Sequence, residues 1–209
     1  MNEGGASEVT PIVHDGVIFL SNTSNIVQAL DARTGELIWE NRIGPEATVA
    51  YMATRSLALY RNKVYVATTD AKLYALDART GKVVWHVEIA PPPKGETGGV
   101  MVIRGKILTG MMGCDNYATV NCHISAYDAE TGKQDWTFYT TARQGTPGGD
   151  TWNNLPDTQR AGTDTWIAGT YDPELNTTYW GVAQSKPWMR ASRRTFGAST
   201  LYANSTLAL

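Results

Sequence analysis

Several things are scarce in this 209-residue sequence, and each scarcity removes a class of explanation. No apolar run approaches the roughly 18 residues needed to span a bilayer as a helix. The formal charge of -2 and the lack of Lys/Arg clusters argue against nucleic acid as the main partner, because phosphate binding needs a concentrated basic face. The three histidines, His14, His86 and His123, stand apart without zinc-like spacing. No G-x-G-x-x-G follows a strand and opens a helix, so nicotinamide binding is unsupported. A nucleophile elbow is also missing. The opening residues MNEGGASEVT carry neither a basic n-region nor an apolar h-region, so no signal peptide is read in that stretch. Phenylalanine is rare, at three residues against seven Trp and ten Tyr. That balance favours rings with a polar atom that stays bonded or wet, which suits many short strands and a polar site.

What the chain does have is repetition. ALDARTGELIW (Ala29 to Trp39) returns as ALDARTGKVVW (Ala75 to Trp85) and as AYDAETGKQDW (Ala126 to Trp136), with starts 46 and 51 residues apart. Each copy reads as strand, turn, strand: the Asp of D-A-x-T-G can accept from backbone N–H groups ahead of it, and its Gly supplies the positive φ of a bulged turn. Upstream of each copy lies a second hairpin, in TPIVHDGVIFLSN, SLALYRNKVYVATTD and GVMVIRGKILTGM, where apolar residues flank tight turns at His14 to Gly16, Arg61 to Lys63 and Arg104 to Lys106.

Two hairpins per period make one four-stranded antiparallel unit, and a period in this range is that of propeller blades. The expectation is therefore an all-β chain, a β-propeller of about three and a half blades, with repeats near 9–45, 46–90, 97–140 and 160–209 within one partial propeller domain, 1–209. The fourth unit opens at WIAGTYDPELNTTYWGVA, and NSTLAL begins another copy of the repeat. Trp39, Trp85 and Trp136 are expected to pack between neighbouring blades. Between the third and fourth units, TARQGTPGGDTWNNLPDTQRAGTDTW is far longer than a hairpin needs, and long loops at one end of a propeller usually build its binding face.

Three A-x-D-A-x-T-G-x-x-x-W motifs joined to GTYDPELNTTYWGVAQSKPW resemble the quinoprotein alcohol dehydrogenases. The resemblance covers essentially the whole chain and implies an eight-bladed periplasmic propeller that oxidises alcohols with pyrroloquinoline quinone (PQQ) and a divalent cation, usually calcium, with a lanthanide as the other candidate. It implies that Trp166, which lies outside the repeat, stacks beneath the planar cofactor. By the same resemblance Gln184 stands where a cation-ligating Asn is usual, and Asp115 where a metal-binding Glu is usual. Glu8, Arg55 and Thr97 match positions that contact the cofactor's carboxylates and carbonyls, and an Arg fork suits such groups.

The chain also departs from the family. The adjacent cysteines that many members carry just before the matched Arg are replaced by Val49-Ala50. Cys114 and Cys122, the only cysteines, flank DNYATVN in a loop beside the expected site, and an oxidising periplasm would permit a disulfide between them.

In the implied chemistry the cation polarises a cofactor carbonyl, a carboxylate takes the alcohol proton, hydride passes to the cofactor, and electrons leave to a cytochrome c or similar acceptor. The family's basic Asp would fall beyond Leu209, so no residue is assigned that role. Asp150 and Asp164 sit in turn-rich contexts that favour loop capping. The competing reading is a non-catalytic propeller, a scaffold or outer-membrane assembly factor, which would need the repeats but not the six non-repeated residues.

Overall fold

The computed structural model describes residues 8–22, 24–45, 55–91, 98–114 and 121–209. Strands dominate them, and two short 3-10 turns, Gly149–Trp152 and Asp157–Gln159, are the helical segments assigned. The first sheet is β1 (Ile12–His14), β2 (Val17–Ser21), β3 (Ile26–Asp31) and β4 (Leu37–Arg42), each antiparallel to the next. The second is β5 (Ala58–Tyr60), β6 (Lys63–Ala67), β7 (Lys72–Asp77) and β8 (Val83–Glu88). The third is β9 (Val100–Ile103), β10 (Lys106–Thr109), β11 (His123–Asp128) and β12 (Gln134–Tyr139). After a two-residue strand β13 (Ala161–Gly162), the fourth sheet joins β14 (Thr170–Asp172), β15 (Thr177–Val182) and β17 (Ser205–Ala208), while β16 (Ser185–Lys186) pairs back onto β13. This is the blade architecture of a propeller.

The repeated turn forms as its chemistry requires. Asp31 Oδ1 accepts from the N–H groups of Arg33 and Thr34 at 2.9 and 2.8 Å. Asp77 and Asp128 do the same in their copies. These bonds hold the three carboxyls below the usual carboxylate range: in Asp31 mainly through the Thr34 amide, in Asp77 and Asp128 mainly through the hydroxyls of Thr80 and Thr131. The register slips by one residue at Ala29/Leu30, Ala75/Leu76 and Ala126/Tyr127, the bulge that a Gly at positive φ permits.

Strand alternation then builds the cores between sheets. In β6 and β7, Val64, Val66, Tyr74 and Leu76 face the first sheet and pack with Phe19, Val27 and Trp39. Their neighbours Tyr65, Ala67, Leu73 and Ala75 face the third sheet and pack with Ile107, Met111 and Tyr127. Period two is what lets one sheet serve two cores. A third core, with Leu108, Ile124, Trp180 and Leu207, joins the third sheet to the fourth.

The repeat tryptophans lock this stacking. Trp39, 9% exposed, lies on Gly81 of the next copy and donates its indole N–H to Ala78 O at 3.0 Å. Trp85 repeats the arrangement on Gly132, donating to Ala129 O at 3.3 Å. Trp136 departs from the expected inter-blade packing: it is 40% exposed and borders a groove beside Tyr171 and Asn176. The pairing of Tyr179 with Ala208 matches Phe19 with Ala29 and Tyr65 with Ala75, so Leu209 stands where Leu30 and Leu76 stand. No helix among the described residues is long and apolar enough to cross a membrane.

Candidate functional site

The segments that enter the four sheets meet at one place. Thr10 N–H donates to Arg55 O at 2.9 Å, and Thr10 bridges Ser56 in parallel, so the chain before β1 runs beside the chain before β5. Gly99, before β9, is pressed against the Ser56 side chain, and a Cβ there would also lie 3.0 Å from the Ala168 Cβ, before β14. Only a residue without a side chain fits that approach. The crowding defines the inner end of the blades.

Three of the sequence-selected residues come together here. Glu8 Oε2 lies 2.8 Å from Arg55 Nε, and the Arg55 guanidinium carbon lies 5.0 Å from the centre of the Trp166 ring. The Arg55 side chain is 16% exposed, so its charge sits between a carboxylate and an aromatic face with little water, where both attractions are strengthened. Trp166 itself keeps 44% of its surface exposed. An indole held open in this way is available for stacking.

Gln184 is exposed and lines a cavity of about 320 Å³ together with Trp166, Ala168, Gly181 and Ser205. Its backbone carbonyl accepts from Thr163 N–H at 3.0 Å, and β13 pairs with β16, so the loop carrying Trp166 and the strand end carrying Gln184 are tied together. Thr97 and Asp115, and the departure at Val49-Ala50, lie outside the described residues.

Cys114 and Cys122 are disulfide-bonded, with Cα atoms 5.8 Å apart. The bond is buried against the segment that leads to Trp166. Gly162 N–H donates to Cys114 O at 2.6 Å, and Asp164 Oδ1 accepts from Cys114 N–H at 3.1 Å. Thr165 exchanges two bonds with Met111: its N–H donates to the Met111 carbonyl at 2.8 Å and its hydroxyl accepts from the Met111 N–H at 3.0 Å. Gly110 approaches Thr165 too closely to carry a Cβ. Cys114, Cys122 and Asp164 place their ligand atoms within 4.8 Å of one another, yet both sulfurs are consumed by the disulfide, which leaves no thiolate for a metal. Next to this pair, His123 is 5% exposed, and burial pushes its pKa below 6.5.

Asp164 therefore acts as a capping group, in keeping with its turn-rich context, but a deeply buried one that fastens the loop below Trp166 to the disulfide. Thr163, at φ 65 and fully buried, receives the hydroxyl of Thr140 on its carbonyl at 2.7 Å and pairs with the Thr141 hydroxyl at 2.6 Å. Sequence reading passed over this support. The available signal was the pair of adjacent threonines, 140 and 141, opposite G-T-D-T.

Known proteins resemble this chain along nearly its whole length. A family model described as the PQQ "Glucose/ethanol/alcohol dehydrogenase, beta-propeller domain" matches residues 2–209. The quinohemoprotein alcohol dehydrogenase ADH IIB of Pseudomonas putida is 38% identical, over 97% of this chain and 31% of its own length. The quinohemoprotein alcohol dehydrogenase of Comamonas testosteroni is 34% identical over the same shares. The solved structure of quinohemoprotein alcohol dehydrogenase ADHIIG from Pseudomonas putida HK5 superposes with a TM-score of 0.88 at 31% identity, covering 100% of this chain and 33% of that one. The chain thus spans about a third of the length of these relatives.

Proposed function

Because the chain belongs to the PQQ-type glucose/ethanol/alcohol dehydrogenase β-propeller family, we propose that it is part of a periplasmic oxidoreductase that oxidises an alcohol. The observation that carries this reading is the convergence of Glu8, Arg55 and Trp166, from three different blade entries, beside the cavity that Gln184 lines. A propeller that only scaffolds needs the Trp wedges and the D-A-x-T-G turns; it has no use for a guanidinium held against an exposed indole at the inner ends of its blades.

The donor set fits a planar, polyanionic quinone. Trp166 offers an open aromatic face, Arg55 a positive fork for carboxylate or carbonyl oxygens, and Glu8 a carboxylate that fixes the fork. Thr97 would add a hydroxyl. Asp115 and the Gln184 side-chain carbonyl are hard oxygen donors of the kind that calcium or a lanthanide takes. When bound, pyrroloquinoline quinone supplies a two-electron acceptor for hydride, with a cytochrome-type protein as the onward acceptor. The protein's own part is to bind and orient. Arg55 holds negative charge in place, Trp166 sets the plane, and the Cys114–Cys122 bond with Asp164 keeps the Trp166 loop from shifting. No described residue is assigned the proton-accepting role. The disulfide suits a periplasmic location.

The test is a binding titration followed by quenching of indole fluorescence. PQQ with calcium should bind saturably, and Trp166→Ala and Arg55→Ala should each weaken it about tenfold or more. Binding that is independent of calcium and unchanged in both variants overturns the site. Assaying alcohol oxidation with PQQ, calcium and an artificial electron acceptor tests the activity separately.

A further inference from the structure

Among the described residues, one set of metal-ligating side chains gathers apart from the Glu8, Arg55, Trp166 and Gln184 group. It is Cys114, Cys122 and Asp164, whose ligand atoms all lie within 4.8 Å of one another. All three are buried, and Cys122 Sγ lies 3.8 Å from Asp164 Oδ1 and 3.7 Å from the Met111 carbonyl oxygen. Two sulfurs and two oxygens are thus clustered in the interior, and the disulfide uses only the sulfurs.

The frame around this cluster is held by other bonds. Gly162 N–H donates to Cys114 O at 2.6 Å, Thr165 N–H to Met111 O at 2.8 Å, Ala183 N–H to Asp164 O at 2.9 Å and Thr140 N–H to Cys122 O at 3.0 Å. Opening the sulfur–sulfur bond requires none of these to break. A tetrahedral zinc ion, with Zn–S of about 2.3 Å and Zn–O of about 2.0 Å, sets its ligand atoms about 3.5–3.8 Å apart. Cys122 Sγ already stands at that range from two oxygens. Once unbonded, the two sulfurs can part to the same range by rotation about their Cα–Cβ bonds. Charge is conserved as well. The disulfide with an ionised Asp164 carries one negative charge, and so does a divalent cation bound by two thiolates and that carboxylate, so the exchange adds no uncompensated charge to the interior.

We propose that the reduced form of this protein binds one thiophilic divalent cation, of the zinc and cadmium kind, through Cys114, Cys122 and Asp164, with the Met111 carbonyl as a fourth ligand. A dithiol reductant supplies two electrons and two protons, which turn the sulfur–sulfur bond into two thiols while the reductant becomes a disulfide; the entering cation then displaces both thiol protons. Two thiolates make the site soft, which favours zinc over calcium. Because the cluster is buried, the ion enters as the reduced chain folds. It fastens the loop below Trp166 at the point where the disulfide does, so the chain has one fastening for oxidising and one for reducing conditions. The site stands independently of the quinone reading.

The experiment unfolds the protein in guanidinium chloride with a phosphine reductant and refolds it anaerobically, without PQQ, in the presence and absence of cadmium. A sulfur-to-cadmium charge-transfer band that saturates at one ion per chain is expected, with a raised Tm and displacement of cadmium by zinc but not by calcium. The oxidised protein should give no such band. Asp164→Asn keeps an oxygen acceptor for the Cys114 N–H but loses the charge, and should weaken cadmium binding about tenfold or more. The proposal is overturned by a folded reduced protein with no saturable band, by a reduced chain that stays unfolded with cadmium, by saturation at any other stoichiometry, by displacement with calcium, or by parental affinity in Asp164→Asn.

Discussion

Gly81→Ala is the sharpest probe of how the blades are held together. Gly81 is at φ +70, and a Cβ on it would stand 2.7 Å from Trp39 Cδ2. Two costs add: an L-residue in the left-handed region costs about 1–2 kcal/mol, and overpacking a seated side chain costs about 1–3 kcal/mol. Gly35 is the internal control, because it occupies the same turn position at φ +76 with open space where its Cβ would go. Gly35→Ala should therefore cost only the backbone part, about 1–2 kcal/mol, and Gly81→Ala about 2–5 kcal/mol. The assay is urea unfolding followed by tryptophan fluorescence, comparing midpoints at constant m. Adding Trp39→Ala closes a cycle: removing the ring should cost less in the Gly81→Ala background, with a coupling of about 0.5–3 kcal/mol. Equal destabilisation by the two glycine substitutions, together with an additive cycle, would refute the wedge.

Other expectations follow from single contacts. Asn25 is buried, donates to Pro45 O and the Thr69 hydroxyl at 2.7 and 2.8 Å, and accepts from Thr69 N–H at 3.0 Å, so Asn25→Ala should destabilise by about 2–4 kcal/mol in the same unfolding assay. Cys114→Ser with Cys122→Ser opens a loop closed over a separation of eight residues, worth about 2.5 kcal/mol by chain entropy, and should also raise the mobility of Trp166, read as lower fluorescence anisotropy. His123 is kept neutral by burial, so its folded pKa lies below the 6.5 of the unfolded chain. Between those two values the unfolded state binds the extra proton, and stability must fall as pH falls below 6.5; His123→Phe should flatten that slope in unfolding midpoints measured across acid pH.

Much of the molecule is visible in its letters because the same physical problem recurs in every blade. A bulged turn needs a carboxylate acceptor and a Gly at positive φ, and a wedge needs a large ring opposite that Gly, so D-A-x-T-G and its Trp carry their own structural meaning. The resemblance then led to Glu8, Arg55 and Trp166, whose contact was not written in any one segment. Asn25 shows what is harder to read: in S-N-T-S-N it looks like a turn residue, and its bonds to Thr69 exist only once two sheets are stacked. Asp164 read as a capping residue, but not as one that fastens the disulfide to the Trp166 loop.

Local order was thus set by short-range chemistry: period-two alternation chose the strands, turn residues chose the hairpins, and their recurrence chose the propeller. Tertiary structure alone decided which non-repeated residues meet. It drew Glu8, Arg55 and Trp166 from distant parts of the chain to the inner ends of the blades, seated Trp39 and Trp85 on the glycines of the next copies, and joined residues 140–160 to residues 187–204. The reason is that repetition constrains each blade in the same way, whereas charge pairing, burial and close approach at the inner ends and in the loops depend on neighbours supplied by other blades.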